Sequence, residues 1–316
     1  ASLAGYGAGG GYRALAKARE MSAEALLEVI ATSGLTGRGG AGFPTARKWR
    51  AVREAAGGPK TIVCNADEGD SGTFSDRMVM EDDPYVLIEG MTIAGLAVGA
   101  TMGYIYLRSE YPHAEAALKA TIASAYAAGY LGDDVLGSGK AFHLELRRGA
   151  GAYICGEETA LLESVEGKRG TVRPKPPLPA IEGLFGMPTV INNVISLASV
   201  PIILDKGGAY YKDYGMGRSL GTLPIQLTGN IARGGLIDEQ ALADALRGGH
   251  LGGAATDVLS VEPPVNGNPL LEPGIPRLII TPHSAWGAVE SRQRIVGQLS
   301  ENAQAFFAGQ PRRVVS

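Results

Sequence analysis

One stretch decides what this chain can fold into: "PYVLIEGMTIAGLAVGATMGYIYL", Pro84–Leu107, which is apolar over nearly its whole length. A membrane-spanning helix needs roughly 20 predominantly apolar residues with few or no charges. Glu89 interrupts the run, and Gly90, Gly95 and Gly99 weaken a spanning helix. The stretch divides better into a buried helix, about Tyr85–Ala100, and a strand, Tyr104–Leu107, joined at Met102-Gly103. A buried helix feeding a buried strand is the unit of a layered α/β protein.

The flanking sequence repeats that alternation. "SAEALLEVIATSG" has Ser22 as a helix cap, Glu24 at the positive end of the dipole, Leu26, Leu27 and Ile30 as an apolar face, and Gly34 as a stop. A helix is expected near Ala46–Ala55, a strand over Thr61–Cys64, and a helix within His113–Ala128. "FHLELRRG" alternates like a strand, while "CGEETALLESVEG" and "INNVISLASVPIIL" each read as a helix. Further on, Asp238–Arg247 reads as a helix, Ala254–Leu259 and Arg277–Thr281 as strands, and Ala285–Ala308 as a long helix. Strands alternating with helices imply an α/β fold with a parallel sheet.

Composition excludes several classes. The 316 residues suffice for one large or two ordinary domains, and 45% hydrophobic with 19% charged residues is globular. A net charge of −3 suggests neither nucleic-acid steering nor a polybasic membrane patch. The two cysteines, Cys64 and Cys155, are too few for a disulfide scaffold or for the four thiolates of an iron–sulfur cluster. No metal site is expected. A reducing compartment, the cytoplasm, fits this usage, and "ASLAGYGAGGGYRALAKARE" lacks the basic flank and apolar core of a signal peptide. The 46 glycines fall in short clusters, which suggests backbone brought close to ligands.

Those clusters carry the chemistry. In "GRGGAGFPTARKW" the backbone turns through Gly37, Gly39, Gly40 and Gly42, and amide N–H groups in such a turn can cradle phosphate beside a helix N-terminus. Arg38 and Lys48 add positive charge, and Phe43 offers a ring face for a planar heterocycle. An ordinary turn would look the same. A second glycine triplet, Gly5/Gly7/Gly10, has no strand before it and reads as a flexible terminus. "CNADEGDSGTF" follows a strand directly, where α/β folds place ligand contacts. Asn65, Asp67, Glu68 and Asp70 there offer acceptors for sugar or ribityl hydroxyls, or form a merely solvated acidic turn. Gly156, Glu157 and Glu158 open a helix, where acids also suit the dipole alone. Lys175 stands in the stiff segment "RPKPPLPA" and could aim a cation or simply face solvent; Asn192 and Asn193 could contact a ligand or cap the next helix.

Taken together and in this order, these motifs closely resemble the family of NADH-binding, FMN-containing flavoproteins shared by respiratory complex I, NAD-dependent formate dehydrogenases and NAD-reducing hydrogenases. The resemblance covers about Ser22–Gly235, and "CNADEGDSGTF" looks more like the formate dehydrogenase beta subunit than the complex I version. It implies a Rossmann-like flavin domain that transfers hydride from NADH to FMN. Gly37, Arg38, Gly39, Gly40 and Lys48 would hold the phosphate side; Asn65, Asp67 and Glu68 the ribityl chain; Gly156, Glu157, Glu158, Asn192 and Asn193 would complete the pocket. Phe43, Asp70 and Lys175 would help NADH stack on the flavin, although Leu178 replaces an aromatic residue many relatives carry. Partners would be other subunits of a formate dehydrogenase or complex I-like assembly. The family's iron–sulfur domain has no counterpart in this sequence.

From Asn230 the text changes. "NIARGGLIDEQALADALRGGHLGGAATDVLSVEPP" and "LIITPHSAWGAVESRQR" resemble the C-terminal end of D-isomer-specific 2-hydroxyacid dehydrogenases, over about Ala232–Pro311. That resemblance implies Arg233 as a substrate-carboxylate grip, Glu262 and His283 as the acid–base pair, and Asp257 near the nicotinamide amide. The family's own glycine loop and substrate domain do not precede it, so the segment reads as a short α/β tail from an incomplete dinucleotide-binding domain. The expected organisation is a helical lead over 1–36, an FMN/NADH domain over 37–229 and the tail over 230–316, with "ARGGL" as the place where two coding sequences meet. NAD-dependent 2-hydroxyacid dehydrogenase activity through the tail, or a non-functional chimeric fragment, are the alternatives.

Overall fold

The computed structural model describes residues 2–70, 72–217, 219–224, 238–251, 253–256, 259–261 and 263–280. They fall into two compact units, 1–223 and 224–316. The first is built on a four-stranded, all-parallel sheet: β1 (Lys60–Ala66), β2 (Ala100–Leu107), β3 (His143–Arg148) and β4 (Thr189–Asn193), in the order β3-β2-β1-β4. Cys64 pairs with Ile105 on one side and Asn192 on the other. The central strand is buried over Thr61–Cys64, so it reads as a continuous apolar run, as parallel sheets covered on both faces do. A separate two-stranded ribbon, β5 (Gly215–Met216) with β6 (Ser219–Leu220), also belongs to this unit.

The helices of this unit are α1 (Leu3–Ala8), α2 (Arg13–Arg19), α3 (Ala23–Ser33), α4 (Thr45–Glu54), α5 (Ser75–Asp82), α6 (Pro84–Val98), α7 (Pro112–Ala127), α8 (Glu158–Val165), α9 (Val194–Ala198), α10 (Val200–Lys206) and α11 (Gly208–Lys212). The long apolar run is α6 followed by β2, and every residue of α6 except Val86 is buried. The joint is Gly99, not Met102-Gly103: its φ of 78° is left-handed, a conformation glycine enters without steric cost. Gly90 lets α6 pack hard, since a Cβ there would lie 2.0 Å from the Leu197 carbonyl oxygen.

Two sequence readings are corrected. "INNVISLASVPIIL" is not one helix. Its first part is the end of β4, Asn193 caps α9, and Pro201 lies in the first turn of α10. The amide cap and the proline break what periodicity alone joins. The N-terminal glycines are not a flexible end: they lie in and just after α1, whose Tyr6 stacks on Tyr85 and donates a 2.5 Å hydrogen bond to Glu89. Glu89, 1% exposed, also accepts the backbone N–H groups of Tyr12 and Leu15 at 2.9 Å each. Burial raises its pKa, and these three donors offset part of that cost.

The second unit is smaller among its described residues. Helix α12 (Glu239–Arg247) starts at Asp238, whose side chain accepts the Ala241 N–H. A parallel pair, β7 (Ala254–Thr256) with β8 (Leu278–Ile280), accompanies it. Ala243, Leu259 and Leu270 form its buried core. The long helix expected over Ala285–Ala308 lies outside the described residues. Among the described residues, no helix is long and apolar enough to cross a membrane.

Candidate functional site

The sheet order places a switch point between β1 and β4. From β1 the chain moves to β2 on one side, while β4 pairs on the other. In open α/β sheets the crevice beyond the carboxyl ends of strands at such a point is where ligands bind. Three loops meet there: the glycine turn after Leu35, the acidic loop after β1, and the turn entering α8.

The glycine turn is closed at its base. Thr36 bridges Pro44, the Gly37 N–H donates to the Phe43 carbonyl at 2.8 Å, and Thr45 N–H donates to Leu35. Its tip is open: Gly40 (φ 101°) and Gly42 (φ 63°) have no atom within 4 Å of a built Cβ, and both are exposed. Gly39 rests on Asn193, with a built Cβ 3.4 Å from the Asn193 Cβ. The turn leads straight into α4, whose first turn has no side-chain cap, and a helix start without one is suited to an anion. Phe43 is 47% exposed, with the Arg47 guanidinium 5.7 Å from its ring centre.

The acidic loop is tied to the turn before α8. Asn65 Nδ2 donates to the Gly156 carbonyl at 2.8 Å, and its Oδ1 accepts the Asp67 N–H at 3.1 Å. The Tyr153 hydroxyl donates to Asp70 at 2.6 Å. Asp67 Oδ2 is buried with no hydrogen-bond partner, 3.5 Å from a built Cβ on Gly156. Burial pushes Asp67 up to about 6; Arg108 opposes this and Glu110 adds to it. A buried acceptor left without a donor is costly, and such groups mark places where a ligand completes the bonding.

Positive charge enters from two sides. Lys48 donates to the Ile191 carbonyl at 2.8 Å and lies 3.6 Å from Glu158. Lys175 bonds Glu157 at 3.0 Å and Glu158 at 2.8 Å. Burial lowers the Lys175 pKa, but the two carboxylates outweigh it and raise it overall. Glu157 is also the N-cap of α8, accepting the N–H groups of Thr159 and Ala160 at 2.8 and 2.9 Å. Burial works against its ionisation, yet these donors and Lys175 hold its carboxyl below the usual range.

The structure brings Gly39, Gly40, Phe43, Lys48, Asn65, Asp67, Asp70, Gly156, Glu157, Glu158, Lys175, Asn192 and Asn193 to these three loops and the strand ends beneath them, but it engages two predicted residues elsewhere. The Arg38 guanidinium donates to Thr36, to the Tyr211 hydroxyl at 3.3 Å and to the Leu220 carbonyl, while its backbone N–H donates to Ser196 at 2.8 Å. It braces the segment after α10. Glu68, 7% exposed, accepts Ser75 Oγ, the Asp76 and Arg77 N–H groups, and the Tyr111 hydroxyl at 2.9 Å. Its carboxylate caps α5. Asn192, buried, accepts Trp49 Nε1 at 2.8 Å. Sequence reasoning missed Asp76, which receives the Asn193 amide, and Tyr153, 70% exposed beside Asp70. An acid at a helix start is also what suits the dipole alone, so "SDR" carries no distinctive signal, and nothing local marks Tyr153. Arg233, Asp257, Glu262 and His283 lie outside the described residues.

A parallel sheet with a glycine turn and an acidic loop at the strand ends of its switch point is the α/β arrangement in which nucleotides are commonly bound. The chain belongs to the Nuo51 FMN-binding domain family, which matches residues 30–202, more than half of it. Residues 228–285 also match the D-isomer specific 2-hydroxyacid dehydrogenase, NAD binding domain. The chain is 52% identical over 237 residues to an NADH-quinone oxidoreductase subunit of Rhizobium meliloti (strain 1021), covering 75% of this chain and 56% of that protein. It is 46% identical over 228 residues to NADP-reducing hydrogenase subunit HndC of Solidesulfovibrio fructosivorans, covering 72% and 46%. The structure of an NAD+-reducing NiFe-hydrogenase in the H2-reduced state superposes with a TM-score of 0.58 at 44% identity, over 65% of this chain and 34% of that one. The chain thus spans about half the length of the curated relatives it matches.

Proposed function

We propose that this chain is an NADH:FMN oxidoreductase module, binding FMN in the crevice between β1 and β4 and taking reducing equivalents from NADH. The observation that carries the reading is Asp67 Oδ2, a buried acceptor without a donor beside Gly156 on the loop leaving β1, while the open glycine turn rests on the end of the neighbouring β4. A polyhydroxylated chain ending in phosphate supplies what the two features need: hydroxyl donors for Asp67, and an anion for backbone N–H groups.

Gly39, Gly40 and Lys48 would hold the phosphate side, with the N–H groups of α4 behind them, while Gly37 closes the base of the turn. Asn65 and Asp67 would orient the ribityl hydroxyls, while Glu68 and Arg38 keep the loops in place through the scaffold bonds given above. Gly156 leaves room beside Asp67, and Asn192 and Asn193 close the pocket at the end of β4. The exposed Phe43 ring offers a stacking surface, and Lys175, with Glu157 and Glu158, sets the charge at the mouth. A bound flavin supplies the hydride-accepting chemistry, and no protein acid or base is needed for that transfer. The residues bind, orient and screen. Electron delivery would go to partner subunits of a multi-subunit assembly of the complex I, hydrogenase or formate dehydrogenase kind, the last favoured by "CNADEGDSGTF".

FMN titration by flavin fluorescence tests this. The chain should take up FMN, and Asp67→Ala should weaken binding by about tenfold, the cost of about 1.4 kcal/mol of lost hydrogen bonding. Equal affinity in the variant, or no flavin uptake by the wild type, would overturn the assignment.

A further inference from the structure

Asp76 has no place in the pocket described above, yet it stands directly behind it. The side chain is 4% exposed at the start of α5. Its Oδ2 accepts a 2.6 Å hydrogen bond from Asn193 Nδ2. The oxygen of the same amide accepts the Ile195 N–H at 2.9 Å and so caps α9. The other neighbour of Asn193 is the glycine turn, through Gly39. One line of contacts therefore runs from α5, through the end of β4, to the turn.

An amide has a donor end and an acceptor end of nearly the same shape. The one pointing at α9 must be the oxygen if the helix is to be capped. Asp76 selects that orientation, because its carboxyl oxygen takes the NH2 end. Remove the carboxyl and the amide is free to turn, uncapping α9 at the end of the strand on which the glycine turn rests.

Charge makes the arrangement one-sided. Glu68 has four donors from the protein and Asp76 has far fewer, so protein donors do little to offset the burial of the Asp76 carboxyl. Burial, then Glu68, pushes Asp76 up to about 8. The groups that face it are few. From β1 comes the Cys64 thiol, itself driven upward by burial and then by Asp76. The loop after β1 presents Glu68, and α9 with its cap presents only the Asn193 amide and the Ile195 N–H. Among the described residues, α6 and α7, which also pack on α5, add no charged group to these surroundings.

We infer that Asp76 is a positioning residue of the cofactor site: its neutral carboxyl fixes the Asn193 amide that caps α9 beneath the glycine turn, and its ionisation places a negative charge behind the turn that weakens the hold on an anionic ligand. The inference rests on the flavin reading of the β1/β4 crevice. The sign follows: the tight-binding form carries the proton, so affinity is highest below the Asp76 pKa and falls as pH rises through about 8.

The test is FMN titration of the whole chain between about pH 7 and about pH 9.5, a window above the FMN phosphate and Asp67 ionisations. Wild type, Asp76→Asn and Asp76→Ala are compared. The wild type should lose about tenfold in affinity across the window; Asp76→Asn, which keeps an acceptor oxygen but cannot ionise, should match the wild type near pH 7 and stay within about twofold throughout. Asp76→Ala, which also cannot ionise, should bind about tenfold more weakly than the wild type near pH 7 and keep that affinity across the window. A general structural role would not flatten the pH profile. The inference is overturned if Asp76→Asn shows the wild-type fall, or if Asp76→Ala binds like the wild type near pH 7. Should Asp76→Ala fail to fold, the Asp76→Asn profile decides alone. A wild type that binds no FMN at any pH overturns the flavin reading itself, a result distinct from an unflattened profile.

Discussion

Residues 1–223 and the described tail from Asp238 alternate helix and strand in the same way, but they are held together differently. The first unit buries an extended core and a second, smaller cluster, with Trp49, Phe142 and Tyr211 in the first and Tyr106 in the second among its largest fully covered side chains. The tail buries Ala243, Leu246, Leu259 and Leu270 among its described apolar residues, and leaves Val261, Val265 and Ile279 exposed. Much of its cohesion is polar: Glu239 gathers the Ser260 N–H and hydroxyl and the Asn268 amide at 2.6–2.7 Å. Alternation sets the kind of layer a segment forms. It does not set how much apolar area those layers cover, and covered area is what stabilises.

The largest expected effect falls on the first unit. Trp49→Ala removes a fully buried indole and the donor to Asn192, and should cost about 3–5 kcal/mol in denaturant unfolding. Limited proteolysis sharpens the same contrast: cuts should come first beyond residue 223. A protease-resistant tail beside a degraded first unit would break the comparison.

How much of this was legible in the sequence depended on distance along the chain. Helix α3, with Ser22 as cap and Gly34 as stop, was readable because cap, face and stop all lie within it. The site was legible as loops, since glycine and acidic clusters announce themselves. The division of labour inside it was not. Glu68 reads as a free acceptor until Tyr111, far along the chain, donates to it, and Arg38 reads as a phosphate ligand until Tyr211 and Leu220 engage it. The ordered N-terminus hinged on Glu89, which in sequence is merely a charge interrupting an apolar run.

A pH experiment separates the site from its scaffold. Riboflavin lacks the phosphate, so its binding isolates the hydroxyl contacts. Burial leaves Asp67 at about 6 without a ligand, and hydroxyl donors favour its ionised form. Riboflavin should therefore bind more weakly as pH falls through about 6, and Asp67→Ala should show no such step. A smaller change is expected at the mouth. Lys175→Gln breaks two largely solvent-facing ion pairs, which should alter stability by less than about 1 kcal/mol. Its KM for NADH should rise several-fold with FMN affinity unchanged; a stability loss with no change in KM would move Lys175 from the site to the scaffold.

The most direct measurement is the visible spectrum of the FMN-loaded chain before and after anaerobic addition of NADH. If FMN occupies the β1/β4 crevice beside an accessible nicotinamide site, the flavin absorption bleaches on addition and returns with air. A loaded protein whose spectrum NADH leaves unchanged would contradict that placement.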